Sequence, residues 1–270
     1  MTLTERNISI AMACLSFFKI GALLYYAVIE ENVKMGTKAT MKTVFTPFTI
    51  LLLVMIIANL GEFIIQALVF SNSFYPMEAL KTIRSICDCV GEYSYLIYGL
   101  LRADAIVKAV FPRFQPFLKS IRQYVIPIAF VVQAGTRIVS VMLPNKSEKV
   151  EIIMLLVHDV SSGINGLLVI FIDTVCFFAF VQFLRRTKMD IDSVDLRFII
   201  ISRYGIASVV ICTSSFGFSI LYGSTKAETW LLVVYLPFSA IVLVLFLMKC
   251  ALLAERKKTK ESLNGKLETG

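Results

Sequence analysis

Nine ionisable side chains stand inside stretches that otherwise read as hydrocarbon: Lys19, Glu62, Arg84, Asp88, Glu92, Arg137, His158, Asp159 and Asp173. A charge at the centre of a bilayer costs at least about 2.5–3.5 kcal/mol on insertion scales, so residues of this kind mark ligand sites, ion paths or pairs between helices. Arg84, Asp88 and Glu92 are spaced i, i+4, i+8, which puts all three on one helix face. Carboxyls and guanidinium groups in such surroundings can hold a polar ligand or relay protons and ions. They can also act structurally, with Lys19, Arg84 and Arg137 pairing to Glu62, Asp88 and Glu92 and pinning helices together. Clustering at one depth favours a site, and the expected ligand residues are Glu62, Asp88, Glu92, Arg137 and Tyr95. Tyr93, Tyr98 and Trp230 are further candidates for the same wall, with interfacial anchoring or ordinary packing as the alternative. Asp173 stands apart in Phe171-Ile172-Asp173-Thr174; it could face Lys19 or Arg203, and Lys19 with Asp173 is the expected intramembrane relay pair.

These residues must be positioned by membrane-spanning elements. Hydrophobic residues make up 57% of the 270-residue chain and charged residues 17%. A helix needs roughly 20 apolar residues to cross a ~30 Å hydrocarbon core. Candidate spans are 8–30, 44–70, 80–102, 123–143, 152–184, 198–223 and 229–253. None shows the alternation of a barrel strand, and lipid leaves backbone groups no partner outside their own helix. The expected fold class is all-α: a polytopic, seven-transmembrane helix bundle over 1–255 with a basic cytoplasmic tail at 256–270. Lys19 falls about 11 residues into the first helix, near the midplane. Gly163 and Gly166 soften the fifth helix, and Pro127 and Pro237 should bend the fourth and seventh.

Basic residues set the orientation. With the N-terminus outside, the inner segments hold 16 of them: Lys34, Lys38 and Lys42; Lys108, Arg113, Lys119 and Arg122; Arg185, Arg186, Lys188 and Arg197; Arg256, Lys257, Lys258, Lys260 and Lys266. Five remain outside: Arg6, Lys81, Lys146, Lys149 and Lys226. That asymmetry favours N-out and C-in, and it accounts for the +8 net charge through anionic lipid, without nucleic acid. The sequons Asn7-Ile8-Ser9 and Asn145-Lys146-Ser147 both fall outside. The first span is too long for a signal-peptide core. The predicted outer loops lack cysteine, so no disulfide framework is expected. The stretch Phe111-Pro112-Arg113-Phe114-Gln115-Pro116-Phe117 reads as an interfacial loop or a docking segment. The lone histidine excludes bis-histidine haem and histidine-rich zinc sites, and Gly-x-Ser-x-Gly does not occur. No enzyme activity, cofactor or metal is implied.

The architecture of residues 8–253 resembles the seven-transmembrane receptor superfamily, the G-protein-coupled receptor-like proteins: seven spans, an outside N-terminus, basic inner loops and a basic tail. Family receptors commonly end the third helix in Asp/Glu-Arg-Tyr, where this chain has Leu101-Arg102-Ala103-Asp104. They commonly carry Asn-Pro-x-x-Tyr late in the seventh, where this chain has Tyr235-Leu236-Pro237-Phe238. The resemblance implies a latch at Arg102, with Asp104 beside it and Arg203 as counterpart; a snorkelling arginine is the alternative. It implies a receptor in the plasma membrane that senses an outside small molecule or peptide. A cytoplasmic signalling partner such as a G protein would follow. The alternative is a transporter or channel for a small solute, ion or proton that uses Lys19, Glu62, Glu92 and Asp173 as a relay. A third is a scaffold whose charges pair with a partner's helices.

Overall fold

The computed structural model describes residues 3–33, 38, 40–71, 77–142, 148–187, 196–225 and 228–268. The sequon at Asn145, Lys146 and Ser147 lies outside the described residues, as do Lys34 and Lys188. The structure is all-α, and no strand occurs among the described residues. In order come α1 (Leu3–Tyr25, continued by a π-helical stretch Tyr26–Val33), α2 (Met41–Val44), α3 (Pro47–Phe70) and α4 (Met77–Val110). Then follow α5 (Gln115–Ser120, continued by a π-helical turn Ile121–Val125), α6 (Ile126–Met142), α7 (Glu148–Thr187), α8 (Leu196–Thr225) and α9 (Glu228–Glu268).

Among the described residues, six helical segments are long and apolar enough to cross a membrane: Thr4–Val33, Pro47–Phe70, Gln115–Met142, Ile152–Arg185, Leu196–Leu221 and Leu232–Thr259. This is the composition of a multi-pass integral membrane protein. Its exterior agrees, since Phe17, Phe18, Val131 and Leu167 are all at least 65% exposed, which lipid tolerates and water does not. The expected third span is α4. At 34 residues it is long enough, but Arg84, Asp88, Glu92, Arg102 and other charges dilute its hydropathy. Its packing explains how those charges are tolerated. α4 touches α3, α6, α7 and α8, so much of its surface meets protein rather than lipid.

The local chemistry of the helix boundaries is plain. Thr46 caps α3 by accepting from the Thr49 backbone N–H at 3.3 Å, and Pro47 occupies the first turn, where no N–H is needed. Pro127 cannot donate to the carbonyl four residues back, and the chain just before it is π-helical. The first sequon lies within α1, with the Ser9 hydroxyl fully buried and donating to the Glu5 carbonyl at 3.0 Å. That is not the surface loop an acceptor site needs.

One end of the bundle, called the basic end below, gathers the end of α1, the start of α3 and the latter part of α9. There Lys249 Nζ pairs with Glu31 at 2.8 Å and donates to Thr49 Oγ1 at 2.5 Å. Lys257 pairs with Glu30 at 2.9 Å, and the Tyr26 hydroxyl donates to the Cys250 carbonyl at 3.3 Å. α9 runs on through the expected tail to Glu268 as one helix.

Candidate functional site

The polar residues of α3 and α4 meet because small residues let the helices approach. A Cβ placed on Gly61 would stand 2.7 Å from Cys87 Sγ. One on Gly91 would stand 3.1 Å from the Phe238 ring and 3.5 Å from Ala58 Cβ. Both positions need the space a glycine leaves. On α3, Asn59 and Glu62 are one turn apart: Asn59 Nδ2 donates to Glu62 Oε2 at 3.2 Å, and Ser16 of α1 donates to Asn59 Oδ1 at 3.3 Å. On α4, the i, i+4 spacing stacks Asp88 under Glu92, and Tyr95 follows one turn on. Tyr235 of α9 donates to Asp88 Oδ2 at 3.4 Å.

Glu62, Asp88, Glu92, Tyr95 and Tyr235 border a cavity of about 90 Å³ between α3, α4, α7, α8 and α9. Glu62, Asp88, Glu92 and Tyr95 give it a polar side. Cys212, Ser215 and Ser219 on α8 add small polar groups, and Phe216, Phe238, Val169, Ile170 and Ile241 supply apolar walls. Space of this size, mostly apolar with polar groups on one side, admits water or a small ligand. Ser215 also donates to the Val234 carbonyl at 3.1 Å, next to the carbonyl that Pro237 leaves without its helical donor.

Four of the five expected ligand residues therefore share one cavity. The fifth, Arg137, does not line it. Its guanidinium reaches back to Glu78 in the first turn of α4 at 3.3 Å, where Glu78 also pairs with Lys81 at 3.2 Å. Arg137 sits near the end of α6 and faces the start of α4, so the carboxylate it meets is the terminal one. Arg84 donates to Gln66 Oε1 at 3.0 Å.

The relay residues separate. Lys19 donates to the backbone oxygen of Ser239 at 3.1 Å and to its hydroxyl at 2.5 Å. It meets α9 rather than the carboxylates. Asp173 faces neither Lys19 nor Arg203; it accepts from the Tyr95 hydroxyl at 2.9 Å. Tyr95 thus touches both the cavity and a buried carboxylate on α7.

The residues expected at the basic end also divide. Arg102 is 6% exposed and does not snorkel. Its Nη2 donates to Ser208 Oγ at 3.3 Å, its Nη1 lies 3.9 Å from Met248 Sδ, and its guanidinium stands 5.3 Å from the centre of the Phe180 ring. Its Nε is buried without a partner, and among the described residues Arg102 forms no ion pair. Asp104 is exposed and accepts from Gln115 Nε2 at 3.4 Å. Arg203 is exposed as well. Alpha-helical spacing explains the split, since positions 102 and 104 lie on different faces of one helix.

Tyr93 packs edge-on against Phe130, Tyr98 against Phe48, and Trp230 stacks on Phe218, all away from the cavity. The sequence reading missed Asn59, Tyr235 and Glu78. Asn59 was accessible as the i, i+3 neighbour of Glu62; Tyr235 and Glu78 required knowledge of helix rotation. No protein-family model and no curated protein matches this chain.

Proposed function

We propose that the chain is a seven-helix receptor-like membrane protein, with its N-terminus outside and its C-terminus cytoplasmic, that senses a ligand in the cavity between α3, α4, α7, α8 and α9. In this reading α4 joins the six apolar segments as the third of seven spans in chain order. The basic end is the cytoplasmic face, as its excess of lysine and arginine suggests. The observation that carries the reading is the cavity itself, which collects Glu62, Asp88, Glu92 and Tyr95 from two helices.

A receptor also needs a route from the ligand to the inner face. Tyr95 supports one: it borders the cavity and holds Asp173 at 2.9 Å. Two turns further along the same face of α4 is the buried Arg102, which touches α8 and α9 through Ser208 and Met248. A ligand that binds two arrangements of this layer with different affinity shifts their populations, and with them the exposed basic face. A G protein or another acidic cytoplasmic partner is the proposed reader, and the plasma membrane the proposed location. A relay through Lys19, Glu62, Glu92 and Asp173 has less support, because Lys19 is bound to Ser239.

The test uses the full chain in lipid nanodiscs with spin labels at positions 104 and 203, both exposed near the basic end. A panel of small polar compounds is screened for stabilisation. The receptor reading expects a compound that stabilises the protein, changes the label separation, and loses both effects in Glu92→Gln. Stabilisation with an unchanged separation, together with flux of that compound into proteoliposomes, refutes the receptor in favour of transport.

A further inference from the structure

We propose that the cavity takes a small organic monocation, an alkyl or arylalkyl ammonium, with Glu92 as its principal anchor. This rests on the reading of the cavity as a ligand site and names the ligand's chemistry.

Three observations converge. The first is charge. Three carboxyls line the cavity and, among the described residues, no basic side chain does. The cations of neighbouring turns are engaged elsewhere: Arg137 with Glu78 at 3.3 Å, Lys19 with Ser239 at 3.1 Å, and Arg84 with Gln66 at 3.0 Å. Of these, Arg84 acts on Asp88 through its field. The second is satisfaction. Glu62 accepts from Asn59 and Asp88 from Tyr235, whereas Glu92 has no hydrogen-bond or ion-pair partner among the described residues. A half-buried carboxyl that borders open space and has no donor within the fold leaves room for one from outside the chain. The third is shape. Phe216, Phe238 and Tyr235 supply aromatic surface beside the carboxyls, a pairing that suits an ammonium carrying an apolar body.

The same geometry argues against a bare metal ion. Among the described residues no group of three acidic, thiol or imidazole ligands converges to hold one. An ammonium needs only two or three acceptors around its N–H groups, and the rest of the molecule can occupy the apolar wall.

The experiment measures equilibrium binding to the full chain in nanodiscs of uncharged lipid. The probes are benzylammonium and tetramethylammonium chlorides, with benzyl alcohol and sodium chloride at matched ionic strength. Benzylammonium is expected to bind saturably, and benzyl alcohol at least about tenfold more weakly. Glu92→Gln should weaken benzylammonium by about tenfold or more. Asp88→Asn serves as a second variant should the first fail to fold, and Glu78→Gln, which alters a carboxyl outside the cavity, should bind normally. Equal binding of benzyl alcohol, full competition by sodium at matched ionic strength, or unchanged affinity in both cavity variants overturns the proposal. The two readings fail differently. Binding of the ammonium without a change at positions 104 and 203 refutes the receptor and keeps the cation. A neutral or anionic compound that binds and moves the labels, with no ammonium binding, refutes the cation and keeps the receptor.

Discussion

Replacing Arg102 with methionine should leave the protein as stable as before or make it more stable and, on the proposed receptor reading, abolish the ligand-induced change between positions 104 and 203. The side chain is 6% exposed, so its charge has given up most of its hydration. That costs several kcal/mol for an ion in a protein interior. The returns visible in the structure are modest: one long hydrogen bond to Ser208 at 3.3 Å, a weak sulfur contact at 3.9 Å and a ring contact at 5.3 Å. A hydrogen bond to a charged group contributes about 1.5–3 kcal/mol and a desolvated cation–ring contact about 2. These offset the desolvation without exceeding it. Methionine keeps the apolar stem against Phe180 and removes the charge. Buried ionic groups replaced by apolar ones of similar volume commonly give changes between zero and about 1–4 kcal/mol of added stability. The assay is unfolding of the purified chain in mixed micelles, with Asp173→Asn and the double variant completing a cycle. A loss of more than about 3 kcal/mol would show that a carboxylate pairs with Arg102 directly, since that is the cost of breaking a buried pair. It would refute the argument that the residue is kept at the expense of stability.

Other outcomes follow from the same contacts. Gly205→Ala puts a methyl into the fully buried Phe180 ring, so it should cost about 1–3 kcal/mol in the same unfolding assay. Shortening the ring with Phe180→Leu should recover part of that loss; additive losses would contradict the packing. Glu31→Gln should destabilise more than Glu30→Gln, because Lys249 is 12% exposed and Lys257 32%. The Glu30 effect should be under about 1 kcal/mol and fade at high salt, and equal, salt-insensitive effects would show that exposure does not govern the two pairs.

That Glu62, Asp88 and Glu92 meet at one level of the bundle was legible because helical spacing is rigid. Once Arg84, Asp88 and Glu92 are known to be helical, they must share a face, and Glu62 on the preceding antiparallel helix falls at a matching depth. Rotation about the helix axis was not legible. It decides that Arg137 turns to Glu78, that Asp173 meets Tyr95, and that Lys19 meets Ser239. Each partner is an ordinary residue whose only distinction is where it points. Arg102 was legible as a position near a helix end, where a long cationic side chain can reach water. Its burial depends on α8 and α9 closing over it through Ser208 and Met248, contacts more than a hundred residues away in sequence. The six apolar segments announce themselves by hydropathy, whereas α4 has the length but not the hydropathy, and the neighbours that surround its charges are absent from a one-dimensional reading.

The central, charged character of α4 bears on how the chain enters a membrane. On the proposed topology, the insertion machinery would meet α4 as a segment with Arg84, Asp88 and Glu92 in consecutive turns, each unfavourable on its own in lipid. α3, by contrast, carries no charged residue before Glu62, with Gln66 one turn later. The close fit of Gly61 to Cys87 and of Gly91 to Ala58, with Arg84 bound to Gln66, lets these two helices satisfy each other as a hairpin before any later helix is made. α4 would then be retained beside the insertion channel by α3 and released into lipid only as α6, α7 and α8 arrive to enclose it. Biogenesis of this chain would thus depend on the order of synthesis, and defects at the α3–α4 seam would show as a misinserted protein rather than as a silent one.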